Sequence, residues 1–236
     1  MIVDRSASML LYLGMLLKRL EYEVSIAGNA EEALRMMDDI LPSLILTDIV
    51  LPGMSGIKLI KQIKDTSRLK AVPVVVLTSE TDPGLKDTCL RMGCAAYLNK
   101  PVEPEVLYRT LQTALETVPR LNIRLRTTLK VLVGDRSALG GAQRTEYATA
   151  ISEGGLFVRT LYPQPQNALT PITIFLQDRE LKTKATVLYH YTIGEGPFKE
   201  PGMGMKFVEI SSDDKELIRR FIRDQISKDI SPEVNG

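Results

Sequence analysis

Three short runs constrain this chain more than any other feature. LILTD at 44–48, PVVVLTS at 73–79 and AAYLNKP at 95–101 are apolar along nearly their whole length instead of alternating. A strand apolar on both sides needs cover on both faces. The segments between them carry apolar residues at helical spacing, as Leu10, Leu13, Leu17 and Leu20 do over residues 7–20, so helices can supply that cover. Asn29 with Glu32 three residues on predicts a capped start to the next helix. With MIV at 1–3 and YEVSIA at 22–27 as further strands, the first half predicts a five-stranded, parallel, doubly wound α/β sheet.

In such sheets ligands bind beyond the carboxyl ends of the strands. Four strands here end on Asp4, Asp48, Thr78 and Lys100. An acid at the end of a buried strand persists only if a metal, a lysine or water compensates it. Asp4 and Asp48 suit a hard cation such as Mg2+. A carboxylate held there can attack a phosphoryl group. Thr78 can hydrogen-bond a phosphoryl oxygen and Lys100 can neutralise its charge.

VDRS at 3–6, LTDIVLPGMSG at 46–56, VLTS at 76–79 and GCAAYLNKP at 93–101 resemble, in order and spacing, the receiver (CheY-like) domain of two-component response regulators. The resemblance covers residues 1–117. It implies Asp48 as phosphoacceptor, Mg2+ held by Asp4, Asp48 and the Val50 carbonyl, and Thr78 and Lys100 in contact with the phosphoryl group. Tyr97 becomes the aromatic whose rotamer follows phosphorylation, and Lys100–Pro101 the place of a cis or strained peptide. A sensor histidine kinase and a downstream protein are the implied partners. Receiver domains often pair through their last helices and strand, here 83–116, so a homodimer is expected. The sequence departs from the family at one position. Where the family has two adjacent acids, Arg5 follows Asp4. A guanidinium there is expected to form a bidentate pair with Asp48, to weaken metal binding, and to make phosphorylation slow or absent. Three residues precede Asp4, fewer than the family usually has, so the natural start is expected upstream.

The second half has another rhythm. TLKVLVG, RTEYATAIS, GLFVRT, TPITIFLQD, KATVLYHYTIG and GMGMKFVEI are strand-like runs separated by Gly, Pro, Asn and Asp. With no helix between them they predict a small antiparallel β-barrel. A closing helix follows, capped by Asp213 with Glu216 and apolar at Leu217, Ile218, Phe221, Ile222 and Ile226. Thr117, Pro119 and Asn122 break both rhythms. The expected divisions are a domain at 1–117, a linker at 118–126, and a barrel with its terminal helix at 127–230.

The linker reads PRLNIRLR at 119–126 and sets Arg120 and Arg124 four residues apart, with Arg126 beyond. A guanidinium fork suits phosphate and the acceptor edge of guanine, and its face stacks on bases. AISEGG at 150–155 offers the Ser152 hydroxyl beside two glycines that permit a tight turn. In this order, and with GMGMKFVEI at 202–210, these pieces resemble the PilZ domain over residues 120–228. The resemblance implies cyclic di-GMP as ligand, held by Arg120 and Arg124 and by an Asp/Asn-x-Ser-x-x-Gly motif that stands here as Ala150, Ser152 and Gly155. In the family the first of these accepts hydrogen bonds from a guanine edge. Alanine accepts none, and a buried donor left unpaired costs about 1–3 kcal/mol, a roughly ten- to hundred-fold loss of affinity. Glu153 and Thr149 are the candidates to substitute.

Charge narrows the function classes. Residues 1–120 carry 14 Lys and Arg against 15 Asp and Glu, and residues 121–236 carry 16 against 14. Neither half has the positive field of a protein that holds DNA by its phosphates, so no DNA partner is expected. RNA is disfavoured because no aromatic stacking platform is evident. Cys89 and Cys94 lie among apolar neighbours and are expected to be reduced core residues. His190 is the one histidine, which argues against a metal or acid–base role. No run of about 18 apolar residues occurs, so no membrane span is expected. The stretch from Met9 to Leu17, broken by Lys18 and Arg19, makes a poor signal peptide, so a cytoplasmic location is expected. The expected function is a non-enzymatic bacterial signalling effector that couples a receiver to cyclic di-GMP, with Arg120 and Arg124 at the hinge. The alternative is a ligand-independent adaptor that uses both domains as docking surfaces.

Overall fold

The computed structural model describes residues 1–116, 122–134, 142–196 and 199–228. The chain forms two compact units, the first chiefly residues 1–116 and the second chiefly residues 122–228. Residues 118–121 of the expected linker, Arg120 included, and the expected end of the barrel domain at 230 lie outside the described residues.

The first unit alternates β1 (Ile2–Val3), α1 (Ala7–Arg19), β2 (Ile26–Ala27), α2 (Ala30–Asp39), β3 (Ile45–Thr47), α3 (Gly56–Asp65), β4 (Val74–Thr78), α4 (Pro83–Arg91), β5 (Ala96–Asn99) and α5 (Pro104–Leu115). The sheet is parallel with order β2-β1-β3-β4-β5. Ile45, Val74, Val75 and Val76 are fully buried because helices cover both faces. Asn29 caps α2 by accepting the Glu32 N–H, and Ser55 caps α3 by accepting the Lys58 N–H. The strand expected at 22–27 shortens to two residues, because β1 offers only Ile2 and Val3 as pairing partners. Strand order turns between β1 and β3, and this is the point where a parallel sheet opens a crevice at its carboxyl edge.

The second unit is a closed antiparallel barrel of β6 (Leu125–Val133), β7 (Arg144–Ser152), β8 (Gly155–Arg159), β9 (Leu169–Leu176), β10 (Arg179–Tyr191) and β11 (Gly202–Glu209), ordered β10-β11-β8-β7-β6-β9. Alternation sends Val131, Ala148, Val158, Ile174 and Val187 inward. Helix α6 (Ser212–Ser227) packs on β7 through its apolar stripe, with Ile218 and Ile222 buried. Three expectations are corrected here. Strand β6 starts at Leu125, inside the expected linker, because Leu125 and Arg126 already pair with Ile151 and Ala150. Strand β10 starts at Arg179 and not at 184, its polar opening hidden by an inward Thr183 whose hydroxyl donates to the Glu209 carbonyl at 2.5 Å. The cap of α6 is Ser211, which accepts the Asp214 N–H, and Asp213 lies within the helix.

Gly155 sits where β8 pairs with β11, and a Cβ there would fall 2.1 Å from the Met205 carbonyl oxygen. Gly155→Ala must push two paired strands apart. It is expected to destabilise the barrel by about 1–3 kcal/mol, read as a lower urea midpoint in circular dichroism. An unshifted midpoint would show that the strands have room to spare.

Candidate functional site

The carboxyl edge of the parallel sheet gathers the four expected residues into one pocket. Asp4 follows β1, Asp48 follows β3, Thr78 ends β4 and Lys100 follows β5. Asp4, Asp48 and Thr78 are buried. Lys100 Nζ donates to Asp4 Oδ2 at 2.5 Å and to Asp48 Oδ2 at 2.7 Å. Thr78 Oγ1 donates to Asp48 Oδ1 at 2.6 Å, and the Val50 N–H donates to the same oxygen at 3.1 Å. Burial pushes the Asp48 carboxyl up, but the bonds from Lys100 and Thr78, the Lys100 charge and the Val50 N–H outweigh it and hold it below the ordinary carboxylate value. The Lys100–Pro101 peptide is cis. Gly56 lets α3 start close under this pocket, since a Cβ there would lie 2.1 Å from the Asp48 carbonyl oxygen.

Arg5 does not join the pocket. It is exposed and, among the described residues, makes no hydrogen bond or ion pair, so the expected bidentate pair with Asp48 does not form. The reason is local. Asp4 Oδ1 accepts the Ser6 N–H at 2.8 Å, a turn that leads directly into α1 and leaves Arg5 on its outer corner. Lys100 has meanwhile taken Oδ2 of Asp48, while Oδ1 accepts from Thr78 and Val50. A resident divalent cation needs several hard oxygen ligands. Two carboxylates share one ammonium here, and among the described residues no group of three His, Cys, Asp or Glu gathers anywhere. These residues fit Mg2+ poorly.

The pocket continues toward the surface. The Glu80 N–H donates to Thr78 Oγ1 at 3.3 Å, and the Glu80 carbonyl accepts the Tyr97 hydroxyl at 2.9 Å and the Asn99 amide at 2.8 Å. Asp48, Thr78, Glu80 and Tyr97 thus form one hydrogen-bonded path. Cys89 and Cys94 are free and buried beneath it. Burial pushes both thiols up, Cys94 to about 12, which disfavours the nucleophilic thiolate.

On the barrel, pairing of Leu125 with Ile151 and Arg126 with Ala150 lays the start of β6 against the end of β7. Arg124, just before Leu125, therefore comes to the Ser152–Gly155 turn. The Asn122 side chain closes over that turn, where a Cβ on Gly154 would lie 2.8 Å from its amide nitrogen. Ser152 Oγ donates to the Gly155 carbonyl at 3.1 Å. Glu153 is not free to stand in for Ala150. Arg219 of α6 holds it in a fork, Nε to Oε1 at 3.1 Å and Nη2 to Oε2 at 2.7 Å. Thr149 falls in the register shift between Ala148 and Ala150.

An aromatic group lies on the outer face beside this turn, where no stacking platform was evident from the sequence. Phe157, Tyr189 and Tyr191 have ring centroids 5.1 to 6.5 Å apart. Cross-strand pairing runs from Arg126 to Ala150, Phe157, Gly204 and Tyr189 in a single row. Tyr189 lies over Gly204, where a Cβ would fall 2.3 Å from its ring, and Phe157 lies over Gly202. Burial raises the Tyr189 hydroxyl, and the Arg124 guanidinium, hydrogen-bonded to it, pulls the other way. The available signal was the matched spacing of Tyr189 and Tyr191 with Gly202 and Gly204.

Lys100 is the most exacting element of the acidic pocket. Lys100→Met is expected to destabilise the first unit by roughly 3 kcal/mol at about pH 7, the cost of leaving buried charges unpaired. Because its pKa is depressed, Asp48 contributes stability that is fully present above the ordinary value of 3.8 and is lost as the pH falls through the lowered one. Without Lys100 the Asp48 carboxyl loses the ammonium that holds its pKa down and takes up a proton more readily. The gap between variant and wild type should therefore narrow from about pH 7 toward about pH 4. Urea midpoints at both pH values check this, and a gap that stays constant counts against it.

Comparison with known proteins follows the same division. The response regulator receiver domain matches residues 1–112 and the PilZ domain matches residues 119–224. Two-component response regulator ORR6 of Oryza sativa subsp. japonica is 34% identical over 110 residues, 45% of this chain and 65% of its own length. Two-component response regulator ORR3 of Oryza sativa subsp. indica is 34% identical over 109 residues, 46% of this chain and 79% of its own length. A solved structure of the chemotaxis protein CheY4 of Vibrio cholerae is 33% identical, covers 48% of this chain and 95% of its own, and has a TM-score of 0.46. The chain spans 65% and 56% of the two rice regulators ORR6 and ORR7. No helix among the described residues is long and apolar enough to cross a membrane. The chain belongs to the response regulators, with a receiver domain followed by a PilZ domain.

Proposed function

We propose that this signalling protein senses cyclic di-GMP through its barrel and uses its receiver domain mainly to engage a protein partner. The observation that carries the reading is the register of β6 on β7, which supports a shared site for Arg124, Ser152 and Gly155. Arg120 belongs to the same proposed site by its motif. Guanidinium groups meet the phosphates, Ser152 and the backbone of the glycine turn meet the sugar–phosphate ring, and Phe157 and Tyr189 offer faces on which a guanine can stack. Arg124→Ala is expected to lower cyclic di-GMP affinity at least tenfold with the fold intact. Calorimetric titration and circular dichroism check it, and an unchanged affinity would refute the site.

In the receiver, Asp48 is the proposed phosphoacceptor, with Asp4, Thr78, Lys100 and the Val50 carbonyl around it and Tyr97 as the responding aromatic. A sensor histidine kinase is the partner that its family supplies. The shortage of oxygen ligands and the Lys100 bridge support slow or absent phosphorylation. Acetyl phosphate with Mg2+ should leave most of the chain without an added phosphate by mass spectrometry. Stoichiometric modification lost in Asp48→Asn would sink this reading. The same bridge, together with Ala150, favours a second reading in which the protein is a ligand-independent adaptor. A chain that binds neither cyclic di-GMP nor phosphate but keeps its protein partner would support it.

A further inference from the structure

The outer surface of the barrel carries a second feature, away from the turn at 152–155. Val131 pairs with Ile174, which sets Lys130 beside Phe175, and the Lys130 ammonium lies 4.9 Å from the centre of that ring. Lys130 in turn pairs with Tyr147, and Tyr147 pairs with Arg159. One cross-strand row therefore runs Phe175, Lys130, Tyr147, Arg159 over β9, β6, β7 and β8, with rings and cations in alternation. The row faces outward, since the neighbours Ile174, Val131, Ala148 and Val158 fill the barrel. Lys130, Tyr147 and Arg159 are exposed. Among the described residues neither cation joins an ion pair, and the Tyr147 hydroxyl makes no hydrogen bond. Strands β6 to β9 hold a single acid, Glu146, and it accepts the Thr160 hydroxyl at 2.9 Å. Glu180 of β10, opposite Phe175, bounds the row at one end. A further cation, Arg144, stands 5.0 Å from the centre of the exposed Tyr162 ring where β7 begins.

We propose that this row binds single-stranded RNA, independently of the cyclic di-GMP site. A single strand alternates phosphates, which need cations, with unpaired bases, which need ring faces. Tyr147 takes a base on its exposed ring. Lys130 and Arg159, on the strands to either side, take the flanking phosphates. A duplex keeps its base faces stacked and out of reach, and a lipid surface has no such alternation to match. Hydroxyls favour RNA over DNA. Thr145 and Thr173 both lie opposite Leu132, one step along the same face. With Tyr147 they set three hydroxyls beside the row, none hydrogen-bonded among the described residues, and these suit a ribose 2′-OH. The small net charge of this half of the chain does not stand against the reading, because the cations gather on one face. The sequence hid the platform because its members come from four strands, and only the register aligns them.

The test is fluorescence anisotropy of the full chain with labelled single-stranded RNA of about twelve nucleotides, within the span that a small barrel covers. DNA of the same sequence, an RNA duplex and co-sedimentation with phosphatidylserine vesicles run alongside. Wild type, Tyr147→Ala, Tyr147→Phe and Arg159→Ala are compared, each with its thermal unfolding. Arg223→Ala, at an exposed position of α6, is the control for charge alone. Wild type is expected to bind the single strand in preference to the duplex and to DNA. Tyr147→Ala is expected to lose about tenfold in affinity, as for one unstacked base. Arg159→Ala is expected to weaken binding and to reduce the slope of log K against log salt by about 0.7, one phosphate contact. Tyr147→Phe should keep most of the affinity and lose part of the preference over DNA. Arg223→Ala should bind as wild type does. No binding of single-stranded RNA by wild type would overturn the proposal. So would equal affinity for DNA, an affinity that Tyr147→Ala leaves unchanged, or a loss in Arg223→Ala as large as in Arg159→Ala. Vesicle binding lost in Tyr147→Ala and Arg159→Ala, without RNA binding, would overturn it and assign the face to a membrane.

Discussion

One ammonium group organises the first half of this protein. The parallel sheet carries Asp4 and Asp48 to neighbouring strand ends and removes both from water. Two buried carboxylates so placed repel each other unless a positive charge sits between them. Lys100 provides it, 2.5 Å from one and 2.7 Å from the other, and in doing so ties the ends of three strands together. The cation belongs to the chain, so one of the two negative charges is balanced within the pocket itself.

The barrel is governed by close approach. Gly155, Gly202 and Gly204 let strands and aromatic rings come nearer than any side chain would allow. Gly202 and Gly204 give Phe157 and Tyr189 a floor to lie on, and the Tyr189 hydroxyl meets the Arg124 guanidinium in turn. Arg219 meanwhile draws Glu153 toward α6, which leaves the turn at 152–155 shaped by glycine and hydroxyl and not by charge.

Much of this was legible in the sequence, for identifiable reasons. Strands apolar on both sides, such as Val74–Thr78, admit few other environments, and the polar residue ending each one marks the carboxyl edge. Asn29 before Glu32 is a local cap that needs no tertiary context. Short-range chemistry failed where partners were distant. Ser211, and not Asp213, caps α6 because the chain from β11 delivers Ser211 to the helix start. Leu125 reads as linker until Ile151 is seen opposite it. Arg5 reads as a partner for Asp48 until the Ser6 N–H turns the chain away.

The sequence by itself determined the two fold classes and the four residues of the acidic pocket, because periodicity and strand-end chemistry are properties of neighbouring residues. The tertiary structure alone decided which charges meet. Lys100 on both carboxylates, Arg219 on Glu153, Arg126 near Glu200 and Arg124 on Tyr189 each join residues far apart in the chain. Coulombic and hydrogen-bond energies depend on distances of a few ångströms, and only strand register and turn geometry set those distances.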